Sequence, residues 1–394
     1  RCKARHFPIK AHIDTSSAML AYIGCNPERF DFCESVYFGS KAITGTIKTS
    51  PPCIDEQMRL KSVNQMDVLR AVAFAFKLAY KPFRVTCGLL GALSYDFIDQ
   101  FENLPVNKYD LLENPDYELY FADNIFLMDH AANQGYVIVN AMITNENREK
   151  IYNQSQKCFE QYFKAGKSQT PSVKPLSNED KKVTSDTSQQ EYEKMVEQAK
   201  QCILNGDIFQ VVLSRTISAN CEDEPLDVYN RLSKINPSPY MFYVKTPTTT
   251  LIGSSPELNL RVSGQKNKTV EIRPIAGTKP RGKINSEIDI ETDLRYEAEL
   301  KLDRKELSEH MMLVDLARND IARVSSAGTR AVNELLTVEK YDSVQHLVSN
   351  VKGELNDELD ALSAYLATMN MGTLTGAPKI EAMKIIRELE KTKR

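Results

Sequence analysis

The chain has 394 residues, enough for two domains or one large unit of enzyme size. Hydrophobic residues make up 42% and charged residues 26%, which excludes wholesale disorder and collagen-like repeats. Lys and Arg number 50 and Asp and Glu 53, a net charge of −3. The chain therefore has no global field that would draw nucleic acid or an anionic membrane, and no run of about 18 apolar residues marks a membrane-spanning helix.

In chain order, residues 1 to about 55 read as irregular, with short apolar stretches at 18–23 and 35–38. Residues 69–80 carry helix formers without Gly or Pro until Pro82 and predict a buried helix. Residues 87–95 suit a strand in a crowded core, and 119–128 and 136–142 predict two more strands. Residues 147–163 form a polar helix. The Ser/Thr/Pro/Lys-rich stretch after it reads as a linker. Ser188 with Glu191 three residues on is a capping box that opens a helix ended by Gly206. Beyond it the pattern predicts strands at 209–215, 240–245, 249–253, 257–262, 269–275 and 331–338. Helices are predicted at 225–235 and 287–318, and further helices after 338. This gives a region 1–164, a polar linker 165–187 and a region 188–394. Strands and helices mix without a βαβ rhythm, so the predicted class is α+β with antiparallel sheets. Neither a P-loop nor a GxGxxG fingerprint occurs.

The eight cysteines are scattered and form no CxxC pair, which points to a reduced, cytoplasmic protein. The chain begins with Arg1 and has no signal-peptide core, so a fragment of a longer protein is expected.

Five stretches can carry chemistry. Residues 271–282 (EIRPIAGTKPRG) end an extended run at Gly277 and Thr278, with Lys279 and Arg281 offering two cations to a carboxylate ligand. A strand ending in a solvated basic turn reads equally from spacing. In residues 304–320, Leu307, Met311 and Val314 mark a core face. Glu306, Glu309 and His310 share another, where two carboxylates one turn apart can hold Mg²⁺ or simply face solvent. Residues 369–379 (MNMGTLTGAPK) run a Gly/Thr loop into a helix start, a place for an anion or an ordinary cap. His346 stands among apolar neighbours and is either packed core or a proton carrier. Tyr240 and Met241, behind a stiff Pro-Ser-Pro entry, either line a pocket or pack a core.

These words, in this order, resemble the chorismate-utilising enzymes. They are residues 236–242 (NPSPYMF), 253–257 (GSSPE), 274–278 (PIAGT) with Arg281 and Gly282, 306–320 (ELSEHMMLVDLARND), 346–349 (HLVS) and 369–379. Residues 87–95 with 101–105 are similar to an earlier element of the family, and the resemblance covers about residues 57–394. It implies two orthogonal antiparallel sheets in a sandwich with helices outside and the active site in the cleft between. It also implies Mg²⁺-dependent addition of ammonia to C2 of chorismate and loss of pyruvate to give anthranilate, the opening step of tryptophan biosynthesis. The ammonia would come from a glutamine amidotransferase subunit, and L-tryptophan would inhibit.

Carried over residue by residue, the resemblance implies Glu309 as metal ligand and Gly277 and Thr278 as substrate contacts. His346 would aid hydroxyl departure, Thr375 would lie near the substrate, and Pro239, Tyr240 and Met241 would line the tryptophan pocket. Relatives that add water carry a Lys base where this chain has Gln210, and 4-amino-4-deoxychorismate-forming relatives carry a nucleophilic Lys where it has Ala276. Gln and Ala offer neither a base nor a nucleophile, which favours direct attack by ammonia. A 4-amino-forming enzyme and a non-catalytic homologue are the alternatives. The family continues past Arg394 with a Gly-rich strand carrying a Tyr, an Arg and a second Mg²⁺ carboxylate. Its LLES-like word of the tryptophan pocket has no match here, so truncation at both ends is expected.

Overall fold

A computed structural model describes residues 86–141, 148–166 and 182–394 except 248, 285 and 286. It also describes residues 60, 64 and 66–74 and four strands before residue 49. The chain mixes helices with antiparallel sheets. Among the described residues no helix is long and apolar enough to cross a membrane.

The centre is a five-stranded sheet. Its axis is Val344–Glu354, the longest of its strands, paired on one edge with Ala331–Lys340. On the other edge Thr269–Arg273 and Ile275–Pro280 lie end to end. Pro274 divides them because it has no N–H for the ladder, yet its carbonyl still accepts from Ser349 N at 3.2 Å. Leu258–Ser263 adds the outer strand.

The helix predicted over 287–318 is two helices, Ile290–Leu302 and Arg304–Ala322. Asp303 splits them: its carboxylate accepts from Lys305 N (3.0 Å) and Glu306 N (3.3 Å) and caps the second helix. That helix lays His310, Leu313, Val314, Ala317 and Ile321 on the sheet. Met311 is 43% exposed, so the buried stripe is displaced from the predicted Leu307/Met311/Val314 face. Ile321, Val270, Val351, Ala364 and Met383 share one core cluster. Each large apolar side chain buried there contributes about 1.5–3 kcal/mol.

Other differences have local causes. Val344–Glu354 was not foreseen as a strand; its middle is buried on both faces, so it lacks polar alternation. The strand predicted at 119–128 is two, Tyr117–Ala122 and Asn124–Asp129, and the region before residue 49 carries four short strands. Gln210–Val211 is all that forms of the strand expected over 209–215. Residues 75–80 of the first predicted helix lie outside the described residues, whereas Met66–Phe74 is helical. Within the predicted linker, Val183–Ser185 pairs with Ile217–Ala219. The capping box forms as read: Glu191 N donates to Ser188 Oγ (3.3 Å) and Ser188 N to Glu191 Oε2 (3.1 Å).

Candidate active site

The sheet and the Arg304–Ala322 helix meet at Gly277. This residue forms a bulge between Ala276 and Thr278, with φ 84°, which a side chain would strain. A Cβ there would also stand 3.1 Å from Leu347 and 3.4 Å from Glu306. The bulge brings Thr278 opposite His346, and Thr278 Oγ1 lies 2.9 Å from His346 Nδ1. Burial holds the His346 imidazole below its ordinary pKa, against the opposing pull of the Gly277 backbone and the Glu339 charge.

His310 fixes the helix over this bulge. Its Nδ1 donates to the Ala276 carbonyl (3.2 Å) and its Nε2 accepts from the Ser349 hydroxyl (2.7 Å). Ser349 Oγ in turn accepts from Leu336 N at 3.0 Å. One ring nitrogen donates and the other accepts, the pattern of neutral imidazole, and burial lowers the His310 pKa accordingly. Neighbouring Glu306 is thereby set beside Gly277. Sequence reasoning put His310 on the face of Glu306 and Glu309 but missed this tethering role.

Glu309 has one described partner from another element: Gln210 Nε2 donates to its Oε1 at 2.9 Å. Gln210 is held by pairing with Ala377, and Val211 pairs with Gly376. Gly376 permits that approach, because a Cβ would stand 2.1 Å from the Gln210 carbonyl. Thr375, fully buried, shares a hydrogen bond with the Tyr95 hydroxyl (3.0 Å), and its carbonyl accepts from Val212 N (3.0 Å). The residues 209–212, 375–377 and Glu309 thus form one connected wall. Thr278 and His346 form another, joined to it through His310 and Ala276.

Among the described residues no three His, Cys, Asp or Glu side chains converge on a metal position. The Gln210 amide turns its N–H to Glu309, while its oxygen is buried and has no hydrogen-bond partner. Glu309 thus offers one half-buried carboxylate as an oxygen donor on this wall. It fits Mg²⁺, which keeps several waters and takes the rest from ligand oxygens.

Two readings change. Arg281 is not available to a ligand: it grips Asp293 through Nε (2.7 Å) and Nη2 (3.1 Å), and Lys340 adds a contact at 2.9 Å. These cations hold the Asp293 carboxyl well below the usual range. Lys379 of the GAPK word is buried, donating to Asp320 (2.5 Å) and to the Thr368 carbonyl (2.7 Å). It ties the far end of the Arg304–Ala322 helix to the loop that carries Thr375.

Tyr240 and Met241 fall on opposite faces of the Tyr240–Lys245 strand. Met241 packs with Tyr229 and Tyr243, Pro239 is buried, and the Tyr240 hydroxyl accepts from Arg261 at 3.3 Å.

Glu257 was part of a recognised word but was given no role. Thr373 Oγ1 lies 3.1 and 3.0 Å from its two oxygens, and no cation pairs with it among the described contacts. Burial pushes its carboxyl up to about 7. It lines a small pocket with Pro274, Leu313, Asp320 and Thr373. The signal available in sequence was a carboxylate straight after Ser-Ser-Pro, but its burial was not.

Gly277, Thr278 and His346 thus lie on the central sheet and Glu309 on the helix packed against it, in a chain that mixes helices with antiparallel sheets. Residues 54–394 match the chorismate binding enzyme family, and the chain belongs to it. It is 42% identical over 353 residues to anthranilate synthase component 1 of Vibrio cholerae, covering 89% of this chain and 66% of that one. It is 41% identical over 356 residues to the same component of Vibrio parahaemolyticus, covering 89% of this chain and 64% of that one. The chain thus spans about two thirds of the length of these relatives. Anthranilate synthase component I from Streptococcus pneumoniae superposes with a TM-score of 0.73 at 27% identity, covering 100% of this chain and 80% of that one. MenF, the menaquinone-specific isochorismate synthase from Escherichia coli, superposes at 0.62 with 15% identity, covering 100% and 80%, a likeness of fold alone.

Proposed function

We propose that the chain is the chorismate-converting part of an anthranilate synthase, which joins ammonia to chorismate and releases anthranilate and pyruvate. Gln210 against Glu309 carries this reading: a neutral amide stands where a water-activating base would be needed, beside a carboxylate suited to Mg²⁺. The relatives' names give it the same direction. The central sheet and its partner sheets would form the orthogonal sandwich of the family. Ammonia would come from a glutamine amidotransferase partner, L-tryptophan would act at the Pro239–Met241 strand, and the protein would work in the cytoplasm.

Each residue has a task set by its surroundings. Gly277 lets the backbone approach the substrate closely, and the Thr278 hydroxyl orients a ring carboxylate. His346, kept neutral near pH 7 by burial, can pass a hydrogen bond to the departing hydroxyl. Glu309 would hold Mg²⁺, whose Lewis acidity would assist loss of that hydroxyl.

The test is product analysis with the full-length gene product, chorismate, Mg²⁺ and ammonium at mildly alkaline pH. Fluorescent anthranilate with one pyruvate is expected. Isochorismate or a 4-amino product would overturn the role given to Gln210 and Ala276, and no turnover would overturn the enzymatic reading.

A further inference from the structure

His346 can serve the proposed reaction only if its ring is held in one orientation. Thr278 lies 2.9 Å from one ring nitrogen and the Gly277 backbone also bonds the ring, but hydrogen bonds in the ring plane leave its tilt unset. The ring packs against Tyr341 in a tilted contact, with centroids 5.5 Å apart and planes at 59°. Tyr341 is anchored at both ends. Its carbonyl accepts from Arg281 Nη1 at 2.5 Å, and its hydroxyl donates to Glu339 Oε2 at 2.7 Å. Glu339 is the ladder partner of His346 on the neighbouring strand, and its other oxygen takes a close charge-assisted bond from Arg273.

We propose that Arg273, Glu339 and Tyr341 form a positioning unit for His346: Arg273 holds Glu339, Glu339 holds the Tyr341 hydroxyl, and Tyr341 fixes the plane of the imidazole against Thr278. This rests on the reading of His346 as a working residue, but the unit itself can be tested without turnover.

The other charged groups on the elements packed around His346 are already engaged. On Ile275–Pro280, Lys279 lies 3.9 Å from Glu299. On Ala331–Lys340, Lys340 binds Asp293 and Glu297, each at 2.9 Å, and Glu334 lies 3.9 Å from Arg273. On Thr269–Arg273, Glu271 takes Lys352 (3.6 Å) and Arg261 (3.7 Å). On the Arg304–Ala322 helix, Glu306 lies 3.5 Å from Lys305, Glu309 receives Gln210, and His310 is turned to Ser349. Glu339 is the carboxylate whose charge acts on His346. Arg273 mutes it.

The unit therefore predicts opposite responses. Removing the Glu339 charge withdraws support for imidazolium, and removing Arg273 unmasks that charge. The experiment is an NMR titration of His346 in the full chain, its signal assigned by its loss in His346→Gln. Glu339→Gln should lower the midpoint and Arg273→Gln raise it, each by about one pH unit. Arg273→Lys should keep the wild-type midpoint. If the residues served packing alone, both neutral variants would loosen the site and drift together toward the solvent value. That common drift, or no movement in either, would overturn the proposal, as would Arg273→Lys behaving like Arg273→Gln. Should the neutral variants fail to fold, Arg273→Lys and Tyr341→Phe decide: Tyr341→Phe keeps the ring but frees Glu339, and should broaden the His346 signal through ring motion. An unchanged line width would count against the unit. In the full-length enzyme Tyr341→Leu should lower kcat at least about 10-fold with KM within about two-fold, as expected when a reacting group is misplaced. Absence of wild-type turnover would sink the proposed function while the titration still judges the unit.

Discussion

The two ends of the Arg304–Ala322 helix carry carboxylates of the same motif and put them to different uses. At the first end Glu306 and Glu309 are half-buried, and Glu309 receives a neutral amide. At the second end Asp320 is 7% exposed and bound by the buried Lys379. A buried cation partner fixes a carboxylate into the architecture; a neutral donor leaves its charge available to a ligand. Glu257, in the same pocket as Asp320, is a third case: buried beside a hydroxyl, it gives up its charge near neutrality.

Breaking the ion pair should have the largest effect. Lys379→Met leaves Asp320 buried without its main cation and should cost about 3–5 kcal/mol in urea unfolding; a loss under about 1 kcal/mol would show that the pair is not structural. Next is the pH response of Glu257. Between about pH 4.5 and 7 its carboxyl is protonated when folded and ionised when unfolded, so its contribution is present at the acid end and lost as pH rises. Wild-type stability should fall across that window by roughly 3 kcal/mol relative to Glu257→Gln. Parallel curves for the two proteins would reject the assignment. Glu309→Gln should cut turnover of the full-length enzyme about 100-fold, near 2.7 kcal/mol of barrier, and change stability by less than about 0.5 kcal/mol. Normal turnover by a folded variant would remove Glu309 from the site. Smallest is Asp303→Ala, where loss of the cap should cost about 1 kcal/mol in thermal unfolding; no change would mean that the helix start is held by packing instead.

Much of this was legible because the informative residues are adjacent in sequence. The Ser188 capping box and the helical spacing of Glu306 and Glu309 are local patterns, and the structure forms both, whereas the bulge at Gly277 depends on the strand it pairs with and was not read. What escaped was set by distant partners. The Lys379–Asp320 pair spans 59 positions, and no local pattern marks a lysine as buried. Arg281 reads as a free cation until Asp293 closes on it from the next helix. His310 interrupts an apolar stripe, so its tether to Ala276 and Ser349 could not be told from a surface histidine. The strand at 344–354 hid because it is covered on both faces, which leaves period-2 patterning nothing to report. Met311 misled for the converse reason: the helical period was right, but its phase is set by which face meets the sheet.

The two-sided bonding of Val344–Glu354 has a mechanical consequence. A strand gripped along both edges can separate from its neighbours only when the whole sheet comes apart, so its amides should exchange with deuterium among the slowest in the molecule. His346 therefore rides on the stiffest rod of the protein.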